Sequence, residues 1–235
     1  MNVYEKVITR LYKQLPAIIR NKLYRTVQNQ VRQDDERKLK EIDAALPQIE
    51  LMAEHIRNLT VVTDKTAILD VLPKHAIVAE IGVSKGKYSE QILSVTQPKK
   101  LYLIDSWTKE KFKGRDLIVK KRFEKEINAG NVFIREGFST TELERFDDEY
   151  FDWVYIDTDH SYDTTSQELE ICQNKVKRGG IIAGHDYTIG AWASRARYGV
   201  IEAVNQFCVK HNWEMVYLTH ESHRTLSYAL RQISK

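Results

Sequence analysis

AIVAEIGVSKGKYS, residues 76–89, is a short unbroken apolar run that stops at a glycine and passes into a helix pattern. Such a run, ending at Gly82, reads as a buried strand followed by a tight turn. Tyr88, Ile92 and Val95 then share one helical face. The same unit recurs downstream. LYLID (101–105), NVFIREG (131–137), FDWVYID (151–157) and GGIIAGHD (179–186) are each followed by apolar residues at helical spacing. The strongest such sets are Val119, Phe123 and Ile127, then Leu169, Cys172 and Val176, then Val200, Val204, Phe207 and Cys208. Strands alternating with helices predict a parallel sheet covered on both faces. Right-handed crossovers place all five carboxyl ends on one edge. WEMVYLT (213–219) and TLSYALR (225–231) are joined by a short polar turn, so this last pair must be antiparallel. The expected architecture is α/β: a doubly wound, mostly parallel, seven-stranded sheet.

Upstream the texture differs. Residues 1–60 contain no glycine and no strand run, and read as a helical extension to a main domain at 61–235. Pro16 and Pro47 fit first-turn positions and would divide that extension. Leu39, Ile42, Leu46, Ile49, Ala53 and Ile56 form a short stripe of coiled-coil spacing. Lys6, Arg10, Lys13, Arg20, Lys22, Arg25 and Arg32 face only Glu5 in the first 32 residues, with Leu11, Leu15, Ile18, Ile19, Leu23 and Val27 at helical spacing among them. A basic amphipathic helix suits a lid, a dimer contact between like chains, or association with an anionic surface.

The chain has 235 residues, 42% hydrophobic and 29% charged, as a globular protein does. No apolar run approaches the roughly 20 residues of a membrane span. No secretory leader is visible, and Cys172 and Cys208 fall in helix patterns as buried thiols. A cytoplasmic location is expected. A net charge of +3 is too mild to indicate nucleic acid.

Open α/β sheets bind ligands at the carboxyl ends of their strands. The first run ends in Glu80, Ile81, Gly82, Val83, Ser84, Lys85, Gly86, a turn whose glycines let backbone approach a ligand. The second ends at Asp105, about 20 residues on, where an acid is placed to accept from two ribose hydroxyls. The loop lacks the middle glycine of G-x-G-x-x-G, where Ser84 stands, and no G-x-x-x-x-G-K-[ST] loop occurs. Gly82 to Gly86 also matches the G-x-S-x-G nucleophile elbow, which keeps a serine hydrolase using Ser84 open. The fourth and fifth runs end in Asp157, Thr158, Asp159, His160, Ser161, Tyr162 and in Gly184, His185, Asp186, Tyr187. On neighbouring strands about 4.8 Å apart, Asp157, His185 and Asp186 are candidate ligands for a divalent cation such as Mg or Mn. His160 and His185 with a carboxylate would equally make the facial triad of a metal-dependent oxygenase.

Together VAEIGVSKGKYS, LYLIDSW, FDWVYIDTDHSYD, GGIIAGHDY and YGVIEAVNQF, over residues 60 to 231, resemble the class I S-adenosylmethionine-dependent methyltransferases. The closest likeness is to the subgroup with D-x-D-H-S-Y and G-H-D motifs, which includes metal-dependent sugar and antibiotic O-methyltransferases. The resemblance implies a Rossmann-like methyltransferase fold. It implies that Glu80, Gly82, Ser84 and Gly86 hold the methionyl part of S-adenosylmethionine and that Asp105 holds the ribose. It puts Gly137, Phe138 and Ser139 beside the adenine, with Asp157 also at the cofactor. Asp157, His185 and Asp186 match the metal positions. The implied reaction is O-methylation of a small hydroxylated acceptor, a sugar or related metabolite, with His160, His185 and Asp186 as catalytic residues. A loop from Tyr187 to Tyr198, with Trp192, Arg195 and Arg197, is expected to act as a lid, its arginines facing an acidic acceptor.

Overall fold

The structure, a computed structural model, describes residues 15–191, 196–221 and 225–233. Much of the basic N-terminal stretch, including Lys6, Arg10, Leu11 and Lys13, lies outside the described residues, as do Trp192 and Arg195. The chain forms two units, 1–45 and 46–235. In the first, α1 (Ala17–Ala45) is a single helix. Pro16 precedes it, its carbonyl accepting from Arg20 N at 3.0 Å. Arg32–Glu36 and Arg37–Asp34 pairs brace its exposed face. No α1 residue is buried.

The stripe expected from Leu39 to Ile56 is not one helix. Helix α1 stops at Ala45, and Pro47, expected to open a helix, instead follows its end, where it blocks continuation. Beyond it comes extended chain and a 3-10 turn at Ala53–His55. Leu51 and Leu59 pack on the sheet unit, which spans 46–235.

In that unit the strands are β1 (Thr60–Val62), β2 (Ile77–Ile81), β3 (Lys100–Asp105), β4 (Val132–Glu136), β5 (Phe151–Ile156), β6 (Val176–Gly184), β9 (Trp213–Thr219) and β10 (Tyr228–Gln232), with β7 (Gly190–Ala191) and β8 (Ala196–Arg197) forming a separate small hairpin. The helices are α2 (Lys65–Val71), α3 (Lys87–Thr96), α4 (Arg115–Arg122), α5 (Glu124–Asn128), α6 (Ser139–Glu144), α7 (Tyr162–Lys175) and α8 (Val200–His211). The main sheet has eight strands in the order β1-β9-β10-β6-β5-β2-β3-β4, and β10 alone runs against the others. The eighth strand is β1, three residues paired parallel with β9 at the edge. Its brevity and mixed exposure explain why no apolar run announces it.

Alternate strand residues enter two cores, as the two-residue strand repeat requires. Ala79, Ile81, Ile104, Val154 and Ile182 pack with residues of α7 and α8. Val78, Leu101, Leu103, Trp153 and Tyr155 pack on the opposite face with residues of α2, α3 and α4. Each fully buried leucine or isoleucine contributes about 1.5–3 kcal/mol. The Trp153 indole N–H, deep in this core, is satisfied by Pro73 O at 3.1 Å. With both faces closed, the carboxyl rim is where the sheet presents its strand ends to a ligand.

Candidate active site

At the end of β2 the chain turns through Gly82 at φ +91°. A Cβ there would stand 1.8 Å from the Asp157 carbonyl oxygen, so only glycine lets the β2 and β5 ends meet this closely. Asp157 N donates to Ile81 O at 2.7 Å across the same junction. Ser84 and Gly86 also have positive φ, and α3 starts directly after. Glu80 lies buried under the loop and accepts from the Ser89 hydroxyl. Burial pushes its carboxyl up to about 8, although the Ser89 hydrogen bond opposes the rise.

Asp105 stands beside this loop, as its place at the end of β3 requires. Its Oδ2 accepts from Val83 N at 2.9 Å and Ser84 N at 2.8 Å, and its Oδ1 from Trp107 N at 2.9 Å. Of the roughly four lone-pair positions of a carboxylate, three thus hold the loop together. The sequence points to Asp105 as a ribose acceptor but gives no sign of this clasp. Trp107 Nε1 donates to Ser84 O at 2.8 Å, and Arg115 Nη1 to Ser84 Oγ at 2.6 Å. The Ser84 hydroxyl therefore faces a cation, and among the described residues no histidine is hydrogen-bonded to it. Gly137 N donates to Asp105 O at 3.1 Å, and Phe138 is exposed beside it. Ser139 opens α6. A buried carboxylate that sequence reading passed over, Glu142, lies under Gly137 and pairs with Arg145 at 2.6 Å.

Across Gly82, the ends of β5 and β6 gather Asp157, His160 and Asp186, whose ligating atoms all lie within 4.8 Å of one another. His160 Nδ1 is 2.9 Å from Asp186 Oδ2. Both residues have positive φ, which turns their side chains inward at the strand ends. Asp159 builds the turn that holds His160: it accepts from Ser161 N at 3.1 Å, Ser161 Oγ at 2.8 Å and Thr164 Oγ1 at 3.2 Å. Ser161 in turn caps α7.

His185 is not in this cluster. It borders the same small cavity, but its Nδ1 lies 2.7 Å from Ser227 Oγ and its Nε2 3.0 Å from Thr225 Oγ1. With both ring nitrogens held by hydroxyls, the expected set Asp157, His185, Asp186 becomes Asp157, His160, Asp186. Sequence reading missed Ser227 and Thr225 because hydroxyls just before a terminal strand carry no motif. It also missed Glu168 of α7, buried and accepting from Thr158 Oγ1 at 2.9 Å. Burial pushes the Glu168 carboxyl up to about 7.

The cluster's electrostatics follow from who faces whom. Burial raises Asp157, and Asp186 adds to the rise while His185 and His160 oppose it. Burial works to raise Asp186 as well, but the hydrogen bond and charge of His160 prevail and hold it below the ordinary value. The reciprocal effect raises His160 against its own burial. Tyr198 lays its ring 4.7 Å from that of His160, and Gly199 N donates to His160 O at 2.9 Å, so the segment after β8 walls the site. Arg197 forms an almost buried ion pair with Glu202.

Residues 79–187 match the family described as a methyltransferase domain. No curated protein sequence matches the chain. Among solved structures, the pyocyanin biosynthetic protein PhzM is 13% identical at a TM-score of 0.54, the match covering 72% of this chain and 54% of that one. The chain thus spans about half the length of PhzM. SMU.1697c from Streptococcus mutans, solved in complex with SAH, is 15% identical at a TM-score of 0.52, covering 72% of this chain and 95% of that one. The [4+2]-cyclase SpnF is 10% identical at a TM-score of 0.55, covering 72% and 80%. At these identities the likeness is one of fold, and SpnF shows that this fold carries more than one reaction.

Proposed function

We propose that this chain uses S-adenosylmethionine to methylate a hydroxyl of a small acceptor, a sugar or related metabolite, at the rim between β2, β5 and β6. The observation that carries the reading is the junction at Gly82: the glycine loop clasped by Asp105 lies directly against the backbone of Asp157, beside the His160–Asp186 pair. When bound, S-adenosylmethionine supplies a methyl carbon activated by the sulfonium. The residues present suit it. The loop approaches without side-chain obstruction at Gly82, Asp105 keeps a free lone-pair position toward a ribose, and Phe138 offers an exposed ring at the position expected for adenine.

The chain's own tasks are orientation and proton removal. Holding the acceptor in line is an entropic contribution. With Nδ1 donating to Asp186, His160 presents its Nε2 lone pair and takes the hydroxyl proton as a general base. Asp186 fixes the ring and favours the imidazolium that results. Tyr198 packs against the ring and restricts its motion. Held between two hydroxyls, His185 is a structural member of the wall rather than the base.

A second reading rests on the donor set itself. Asp157, His160 and Asp186 fit a divalent cation such as Mg or Mn, which would lower the pKa of a bound hydroxyl. Calorimetry with S-adenosylmethionine and its demethylated product, with and without EDTA, tests donor and cation together. A screen of hydroxylated sugars and phenols for methyl transfer then tests the acceptor class. Failure to bind either nucleoside at millimolar concentration overturns the proposal.

A further inference from the structure

The rim has a direction. Asp105 and the proposed ribose side lie toward β3, and a donor extended across Gly82 carries its amino-acid end toward β5 and beyond. Two residues from outside the repeated strand–helix units lie together on that side. Lys65 is the first residue of α2, and Glu221 lies just past β9. Lys65 N donates to Glu221 Oε1 at 3.0 Å. The Lys65 ammonium sits 4.6 Å from the centroid of the Tyr88 ring, in the first turn after the glycine loop, and the Tyr88 hydroxyl donates to Lys65 O at 3.3 Å.

Lys65 makes no ion pair among the described residues, although its charge acts on Glu80 and Asp157, lowering both carboxyls against the effect of burial. Glu221 Oε2 is buried and has no hydrogen-bond partner among the described residues. A buried carboxylate oxygen left unpaired is costly, about 1–3 kcal/mol or more. A lone cation would suit any anion, and a lone carboxylate any cation. A cation and an anion flanking one aromatic ring suit a ligand that carries both charges on neighbouring atoms.

We propose that Lys65 and Glu221 bind the zwitterionic α-amino-acid end of the donor, Lys65 taking its carboxylate and Glu221 its ammonium. The assignment rests on the donor named under Proposed function. It goes beyond the glycine loop by giving the site a reason to prefer a complete donor over the truncated nucleoside.

The test is calorimetry of the full chain with S-adenosylhomocysteine and with 5′-methylthioadenosine, which lacks the amino-acid end. Wild type is expected to bind the former more tightly. Lys65→Met and Glu221→Gln should each weaken S-adenosylhomocysteine by about tenfold or more, the scale of one charge-assisted hydrogen bond, and leave 5′-methylthioadenosine unchanged. Lys65→Arg should restore much of the loss, and thermal unfolding of each variant verifies that it is folded. Equal weakening of both ligands would mark a merely structural role and overturn the inference, as would no weakening of either. Wild type binding both ligands equally would overturn it and leave the donor reading intact. Wild type binding neither removes that reading and the inference with it.

Discussion

His160 Nδ1 stands 2.9 Å from Asp186 Oδ2, joining the turns that follow two adjacent parallel strands. Each residue alters the other's protonation, raising the imidazole and lowering the carboxyl. The pair is built to hold a proton on the imidazole rather than share it evenly. Asp186→Asn keeps the shape and removes the charge. Turnover should fall by about a hundredfold or more, the usual scale of general-base assistance, while the affinity for S-adenosylhomocysteine stays unchanged. Comparing kcat with calorimetric affinity checks this. If instead EDTA abolishes wild-type turnover and Mg or Mn restores it, the same residues act as cation ligands.

Gly82→Ala should be among the most damaging single-methyl changes in the chain. The added Cβ meets the Asp157 carbonyl oxygen at 1.8 Å, and the backbone sits at φ +91°. Neither neighbour can readily give way, because each directly follows a central strand. Overpacking and backbone strain together should destabilise by about 3 kcal/mol or more. Urea unfolding would show it. An alanine variant as stable as wild type would mean that the β2 and β5 ends do not meet as described.

Much of this was legible in advance, and the exceptions share a cause. The five strand-to-helix units and the terminal antiparallel pair could be read because buried strands need continuous apolar runs and tight turns need glycine. β1 escaped because a three-residue edge strand has one mostly exposed face. Gly82 and Asp105 share a rim as their places in the repeat require, but the Asp105 clasp on Val83 and Ser84 did not show in the letters. Which of two histidines joins the carboxylates was also hidden. That depends on backbone at positive φ at His160 and on hydroxyls from Ser227 and Thr225, which are distant in sequence. Lys65 and Glu221 stand 156 positions apart and belong to no motif.

Asp105→Asn tests whether the loop clasp matters. An amide cannot accept at both of its positions. Turning its nitrogen toward Val83 N and Ser84 N sets donor against donor; turning it away exposes Trp107 N to the same conflict. Either way at least one backbone N–H loses its partner, at about 1–3 kcal/mol. Amide exchange at Val83 and Ser84, or at Trp107, should speed up, and affinity for S-adenosylhomocysteine should fall. Unchanged exchange at all three would remove the clasp.

Glu80 gives the pH prediction. Its carboxyl, buried beneath the glycine loop, rises from an ordinary 4.5 to about 8. Between those values the folded chain holds a proton there that the unfolded chain has released. The folded state therefore loses stability as pH rises from near 4.5 to near 8, by up to about 1.4 kcal/mol per pH unit, and no further loss from this group follows above that. Glu80→Gln carries no titrating proton and still accepts from the Ser89 hydroxyl. Relative to wild type, the variant should therefore gain stability steadily from pH 5 to pH 8 and level off beyond. Urea unfolding of both proteins at several pH values isolates Glu80, because every other titration cancels in the difference. Two stability curves that run parallel across the range would show that Glu80 is ionised beneath the loop, and that the loop rests on a buried negative charge rather than a neutral acid.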